Sequence, residues 1–104
     1  MVISLDKIRQ AVREVALANG AKTAILFGSY ARGTATAHSD VDLIFIEETS
    51  QPFLQRLGRY IDPLVDQLGT STEALVYTPG EFERMKSRSF IGRALKEGMV
   101  LYES

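Results

Sequence analysis

The chain contains no cysteine. A disulfide framework and a thiolate zinc site are therefore excluded, and the composition agrees with a cytoplasmic protein. Long apolar runs are missing as well. Nothing approaches the roughly 18 residues that cross a bilayer, and MVISLDKIRQ lacks the apolar centre of a signal peptide, so a soluble, untargeted chain is expected. Charge of one sign is equally scarce: 12 Lys and Arg oppose 13 Asp and Glu, for a net charge of −1. Tight nucleic-acid binding normally needs a basic face, so direct nucleic-acid binding and a DNA-polymerising role are not expected. There are no repeats or low-complexity segments. The single histidine, His38, sits in the loop just before the acidic pair and reads as a loop residue.

What is present is enough for one modest core. A length of 104 residues with 45% hydrophobic content predicts a single domain, 1–104. Ser4 can cap a helix running to about Asn19, with Leu5, Ile8, Val12, Val15 and Ala16 on one face and Gly20 as its stop. Thr23 to Phe27 and Val41 to Ile46 are short runs of the branched and aromatic residues that pleated surfaces favour. After the polar loop 47–51, the run from Pro52 to about Gln67 has helical spacing, and Pro63 should kink or split it. Tyr60 falls on its apolar stripe and reads as core. Thr78-Pro79-Gly80-Glu81 is a capping box, which makes Glu81 structural. A further helix, capped by Ser87 or Ser89, runs through Phe90, Ile91, Ala94 and Leu95 to Gly98, and Met99 to Tyr102 reads as a short edge strand. Arg84, Lys86, Arg88, Arg93 and Lys96 read as a solvated helix face, with an acidic partner or a triphosphate tail as the alternative.

The chemistry lies in AILFGSYARGTATAHSDVDLIFIEE. Gly28 breaks the first strand, and Ser29 can cap a helix that Gly33 and Thr34 end. Free N–H groups and the positive end of the helix dipole coincide at such a start, which attracts phosphate, and Gly28 lets a ligand approach the backbone. Ten residues beyond Ser29 come Asp40 and Asp42. Two apart in a strand, their side chains leave one face about 6.6 Å apart along the chain. Carboxylates so placed repel unless a cation sits between them, and an all-oxygen set suits Mg²⁺, which completes its shell with water and substrate phosphates. Two Mg²⁺ ions on a nucleoside triphosphate are the expected occupants. Arg32, one helical turn on, could neutralise triphosphate charge or make a surface salt bridge.

The turn and the acidic pair can share a site only if the first two strands are antiparallel. Glu73 to Tyr77 alternates as a third strand, with Glu73, Leu75 and Tyr77 on one face and Ala74 and Val76 on the other, and a right-handed crossover would lay it parallel to the second, bringing Glu73 to the same end as Asp40. The fold expected is α+β, a small mixed sheet flanked by helices.

Gly-Ser, ten residues, then Asp-x-Asp, with Arg32-Gly33 inside and Ser39 before the first Asp, resembles the signature of the nucleotidyltransferase superfamily that includes DNA polymerase β. GSYARGTATAHSDVDL, LVYTPGEFERM and ALKEGMVLYES resemble, more narrowly, the minimal nucleotidyltransferases of the MntA-like antitoxin group. The resemblance spans most of the chain. It implies the nucleotidyltransferase fold, ATP as substrate, Asp40, Asp42 and Glu73 as catalytic and metal-binding carboxylates, and Gly28, Ser29 and Arg32 as nucleotide-binding residues. It also implies a helical HEPN-type toxin partner whose tyrosine is adenylylated. The third carboxylate of that family is usually Asp, so Glu73 is a departure. It leaves open a second reading, a non-catalytic module that neutralises its partner by capture. A small-molecule adenylyltransferase is weakened by the lack of an acceptor domain.

Overall fold

Ser4 Oγ accepts the backbone N–H of Lys7 at 3.2 Å and opens helix α1, Leu5–Asn19. The computed structural model describes residues 2–104 and omits the side chain of Ser89. Ile8, Ala11, Val12, Val15 and Ala16 form the buried stripe of α1, and the helix ends at Gly20 in the left-handed region.

The strands are β1 (Thr23–Phe27), β2 (Val41–Ile46), β3 (Thr72–Tyr77) and β4 (Met99–Glu103), in the order β3-β2-β1-β4. β1 runs antiparallel to β2 and to β4, while β2 and β3 are parallel, as the shared site requires. Alternation sends successive side chains to opposite faces. Ala24, Leu26, Leu43, Phe45, Ala74 and Val76 pack with α1 and with Tyr60, Leu64 and Leu68, whereas Ile25, Ile44 and Tyr77 meet Ile91 and Ala94. Full burial of one such aliphatic side chain stabilises by roughly 1.5–3 kcal/mol, so the larger first cluster holds most of the fold together.

The apolar run after β2 divides into a 3-10 turn, Phe53–Arg56, and helix α3, Gly58–Leu68. The break falls at Leu57, and Pro63 stays inside α3. Proline lacks the N–H that would reach back four residues. The carbonyl of Arg59 is taken instead by Asn19 Nδ2 at 3.2 Å, and Asn19 Oδ1 accepts from Arg59 Nη1 at 2.8 Å. The last residue of α1 thus closes the gap in α3.

Glu47, expected in a polar loop, is buried. It accepts from Arg59 at 3.2 and 3.0 Å and from the hydroxyl of Tyr60, which is fully buried as core. Burial, with Glu47 beside it, pushes the Tyr60 phenol above its usual range. Arg56 is likewise buried, donating to Val76 O at 2.9 Å and to Glu81 at 2.6 and 3.2 Å. Helix α4, Pro79–Met85, begins with the expected box: Thr78 Oγ1 accepts from Glu81 N at 3.2 Å, and Glu81 Oε1 accepts from Thr78 N at 2.9 Å. Helix α5, Ser89–Glu97, has Arg88 at its cap position with no side-chain cap bond. A cap involving the Ser89 side chain lies outside the described residues. Among those residues no helix is long and apolar enough to cross a membrane.

Candidate active site

β1 delivers the chain into α2, Gly28–Arg32, a single helical turn closed by Gly33 in the left-handed region. The helix begins at Gly28 with Phe27 in the cap position, so Ser29 lies inside it and is not its cap. The Ser29 carbonyl accepts from Thr34 N at 3.0 Å, which folds the following loop back on the turn. Gly28 has φ +74°. A Cβ built there would overlap Asp42 Oδ2, so the glycine is required by backbone conformation and by the carboxylate packed against it.

Register brings the rest together. Phe27 pairs with Asp42 across β1 and β2, and Asp42 pairs with Glu73 across β2 and β3. Asp42 thus sits between the glycine turn and Glu73. Partial burial comes first among the causes that push the Asp42 carboxyl up to about 6, followed by the Glu73 charge and a carboxyl–carboxyl hydrogen bond with Glu73; Asp40 adds to this and Arg32 opposes it. β2 starts at Val41, so Asp40 stands just outside the strand while still acting on Asp42. Asp42 and Glu73 are register partners on adjacent strands, and Asp40 adds its charge from just outside β2. Among the described residues no three acidic, histidine or cysteine side chains gather closely enough to enclose an ion. The donors are all carboxylate oxygen, and burial together with the neighbouring Glu73 and Asp40 charges disfavours the ionised form of Asp42, a penalty that a divalent cation relieves. That chemistry fits Mg²⁺, whose remaining positions go to water and substrate phosphate.

Arg32, for which a triphosphate contact and a surface salt bridge were both expected, makes the salt bridge, to Glu97 of α5 at 3.0 Å on a partly exposed surface. His38 is exposed in the loop before Asp40, its backbone N–H donating to Thr36 Oγ1 at 3.2 Å.

The acids lie in a cavity of about 570 Å³ whose walls include Phe27, Ile61, Leu75 and Phe90. Phe90 meets Phe27 edge to face, with ring centroids 5.7 Å apart, and remains 55% exposed. Ile91 and Ala94 form the buried side of its helix, leaving Phe90 beside the carboxylates. The signal that could have found it is the phase of α5: a buried pair three apart leaves the residue before it turned aside.

The chain matches the nucleotidyltransferase domain family over residues 5–101. It is 35% identical over 81 residues to a protein of Methanocaldococcus jannaschii provisionally named a protein adenylyltransferase, with 78% of each chain covered. Its fold is similar to that in a crystal structure of a toxin–antitoxin with AMP-PNP, at TM-score 0.71 and 19% identity, covering 96% of this chain and 75% of that one. It is also similar to a structure provisionally described as a minimal nucleotidyltransferase, at TM-score 0.69 and 28% identity, covering 91% and 90%.

Proposed function

This chain belongs to the nucleotidyltransferase domain family, and from that premise we propose that it moves AMP from Mg²⁺-bound ATP to a hydroxyl of a protein acceptor. The acceptor in this reading is a HEPN-type helical toxin, which the transfer silences, so the protein is an antitoxin acting in the cytoplasm as one domain, 1–104. The observation that carries the reading is Asp42, registered between the Gly28 turn on one strand and Glu73 on the next. Support for adenylyl transfer to protein comes from the name of the archaeal relative, and for a toxin partner from the assembly in the AMP-PNP-bound neighbour.

Asp40 and Asp42 would hold Mg²⁺, two ions in this reading, with Glu73 as a further ligand or as base; bound there, the metal would supply charge neutralisation on the triphosphate and polarisation of the α-phosphorus. The Gly28–Ser29 turn orients the β and γ phosphates, and Arg32 joins it only when released from Glu97, so that pyrophosphate leaves in line with the incoming oxygen. Glu73 receives the acceptor's hydroxyl proton, or would serve as the third carboxylate holding the second ion. The new P–O bond forms to the α-phosphorus as the bond to the pyrophosphate oxygen breaks.

The test is incubation with ATP and Mg²⁺, with and without cell extract. Label at the α-phosphate should appear on a protein, and label at the γ-phosphate should not. Removing Mg²⁺ should abolish transfer. Label from the γ position would mean phosphoryl transfer instead, and no label from either position would leave capture of the partner as the better account.

A further inference from the structure

Phe27 and Phe90 separate two spaces. On one side is the cavity of Asp42 and Glu73; on the other is a smaller groove of about 200 Å³ between α2 and α5, bordered by Gly28, Arg32, Arg93 and Glu97. The groove starts beside Asp42, because Gly28 borders it and its α-carbon lies against the Asp42 carboxylate. Its charges are unevenly committed. Arg32 is bonded to Glu97 at 3.0 Å, whereas Arg93 is exposed and makes no ion pair among the described residues. The lining side chains therefore keep one net positive charge, and it resides on Arg93.

We propose that Arg93 is a nucleotide-binding residue of this groove, taking the terminal phosphates of the triphosphate while Glu97 withholds Arg32. The assignment rests on the adenylyl-transfer reading and adds to it a residue 65 positions beyond the glycine turn. A polyphosphate leaving Asp42 along the Gly28 backbone enters a space that offers a guanidinium not matched by a carboxylate among the described residues. A planar guanidinium suits two phosphate oxygens at once, which an exposed lysine would not reproduce. Glu97 competes with phosphate for Arg32, so it sets how much of the second guanidinium is available.

Calorimetric titration with Mg²⁺ and AMP-PNP, with AMP as control, tests this on the full chain. Arg93→Ala should weaken AMP-PNP binding about tenfold, the scale of one charge-assisted hydrogen bond, and leave AMP binding unchanged. Arg93→Lys should recover part of the loss. In transfer assays Arg93→Ala should raise KM for ATP more than it lowers kcat. Glu97→Gln should tighten AMP-PNP binding severalfold by releasing Arg32. Equal AMP-PNP affinity for wild type and Arg93→Ala overturns the assignment and leaves adenylyl transfer standing. A loss shared by AMP, or a fall in melting temperature of Arg93→Ala large enough to explain it, also overturns it. Failure of the wild type to bind AMP-PNP at all removes both.

Discussion

The α-carbon of Gly28 lies so close to the carboxylate of Asp42 that a methyl group in place of its hydrogen would overlap Oδ2. The glycine and the acid are one structural unit, although 14 positions separate them. Expecting Gly28 to serve only the approach of phosphate captures half of its role; the other half is to leave room for the acid. Gly28→Ala should therefore displace Asp42 and, at φ +74°, strain the backbone as well. Transfer should fall by about 10² or more, on the scale of losing a positioned catalytic group. Wild-type transfer by Gly28→Ala, measured with α-labelled ATP, would remove this contact from the site.

Asp42→Asn and Asp40→Asn should each abolish detectable transfer while leaving the fold intact. For Asp42 the metal-free protein should become more stable. Its carboxyl, held up at about 6, binds a proton in the folded state that the unfolded chain releases near 3.8. Stability therefore falls as pH rises between those values, and at pH 8 the folded protein carries the full repulsion. The melting-temperature gain of Asp42→Asn should be larger at pH 8 than at pH 4, and a gain that is equal at both would contradict the crowding described here.

Glu73→Gln should keep Mg²⁺-nucleotide binding yet lose about 10²–10⁴ in transfer if Glu73 handles the acceptor's proton. Glu73→Asp, the residue usual in the family this chain resembles, should keep or raise activity. Equal, non-zero transfer by wild type and Glu73→Gln would dismiss Glu73 from the chemistry. No transfer by wild type or by Glu73→Asp would favour simple capture.

Glu81 should report on stability alone. Its ion pair with Arg56, together with the Thr78 N–H, holds its carboxyl down near 2 from an ordinary 4.5. A depressed acid contributes stability that is present above 4.5 and is lost as pH falls toward 2. Glu81→Gln should thus lower the urea midpoint at pH 7, and the difference from wild type should shrink by pH 3. Because Glu81 is 30% exposed, the loss should stay below the about 3–5 kcal/mol of a fully buried pair.

Asn19→Ala should cost about 1–3 kcal/mol, the penalty for a polar group left without its partner, since the Arg59 carbonyl above Pro63 would lose its donor. Adding Pro63→Ala, which restores a helical donor, should recover much of that. Chemical unfolding of the single and double variants checks the coupling, and strictly additive losses would deny it.

Local rules made much of this legible. The caps at Ser4 and Thr78 depend on neighbours three residues away, and strand alternation correctly sorted Leu75 and Tyr77 from Val76. The requirement that the turn and the acids share an end was enough to derive the β1–β2 orientation. What escaped depends on distances no local pattern encodes. Arg32 finds Glu97 across 65 residues, and Glu47 is buried because Arg59 and Tyr60 fold over it, although its own neighbours are polar. The place of Phe90 beside the acids depends on the phase of α5, which its apolar character alone does not give.

The pairing of Phe27 with Asp42 also decides where this chain can tolerate a change in length. Inserting or deleting one residue within β2 would exchange Asp42 for a neighbour, turning the acid into the α1–α3 core and an aliphatic side chain into the site. The segment 34–39, outside any helix or strand, carries no such register. The ten-residue interval between Ser29 and Asp40 is therefore the length of a particular loop, and the alignment of two strands, which an added residue in that loop leaves in place, is what the chemistry needs.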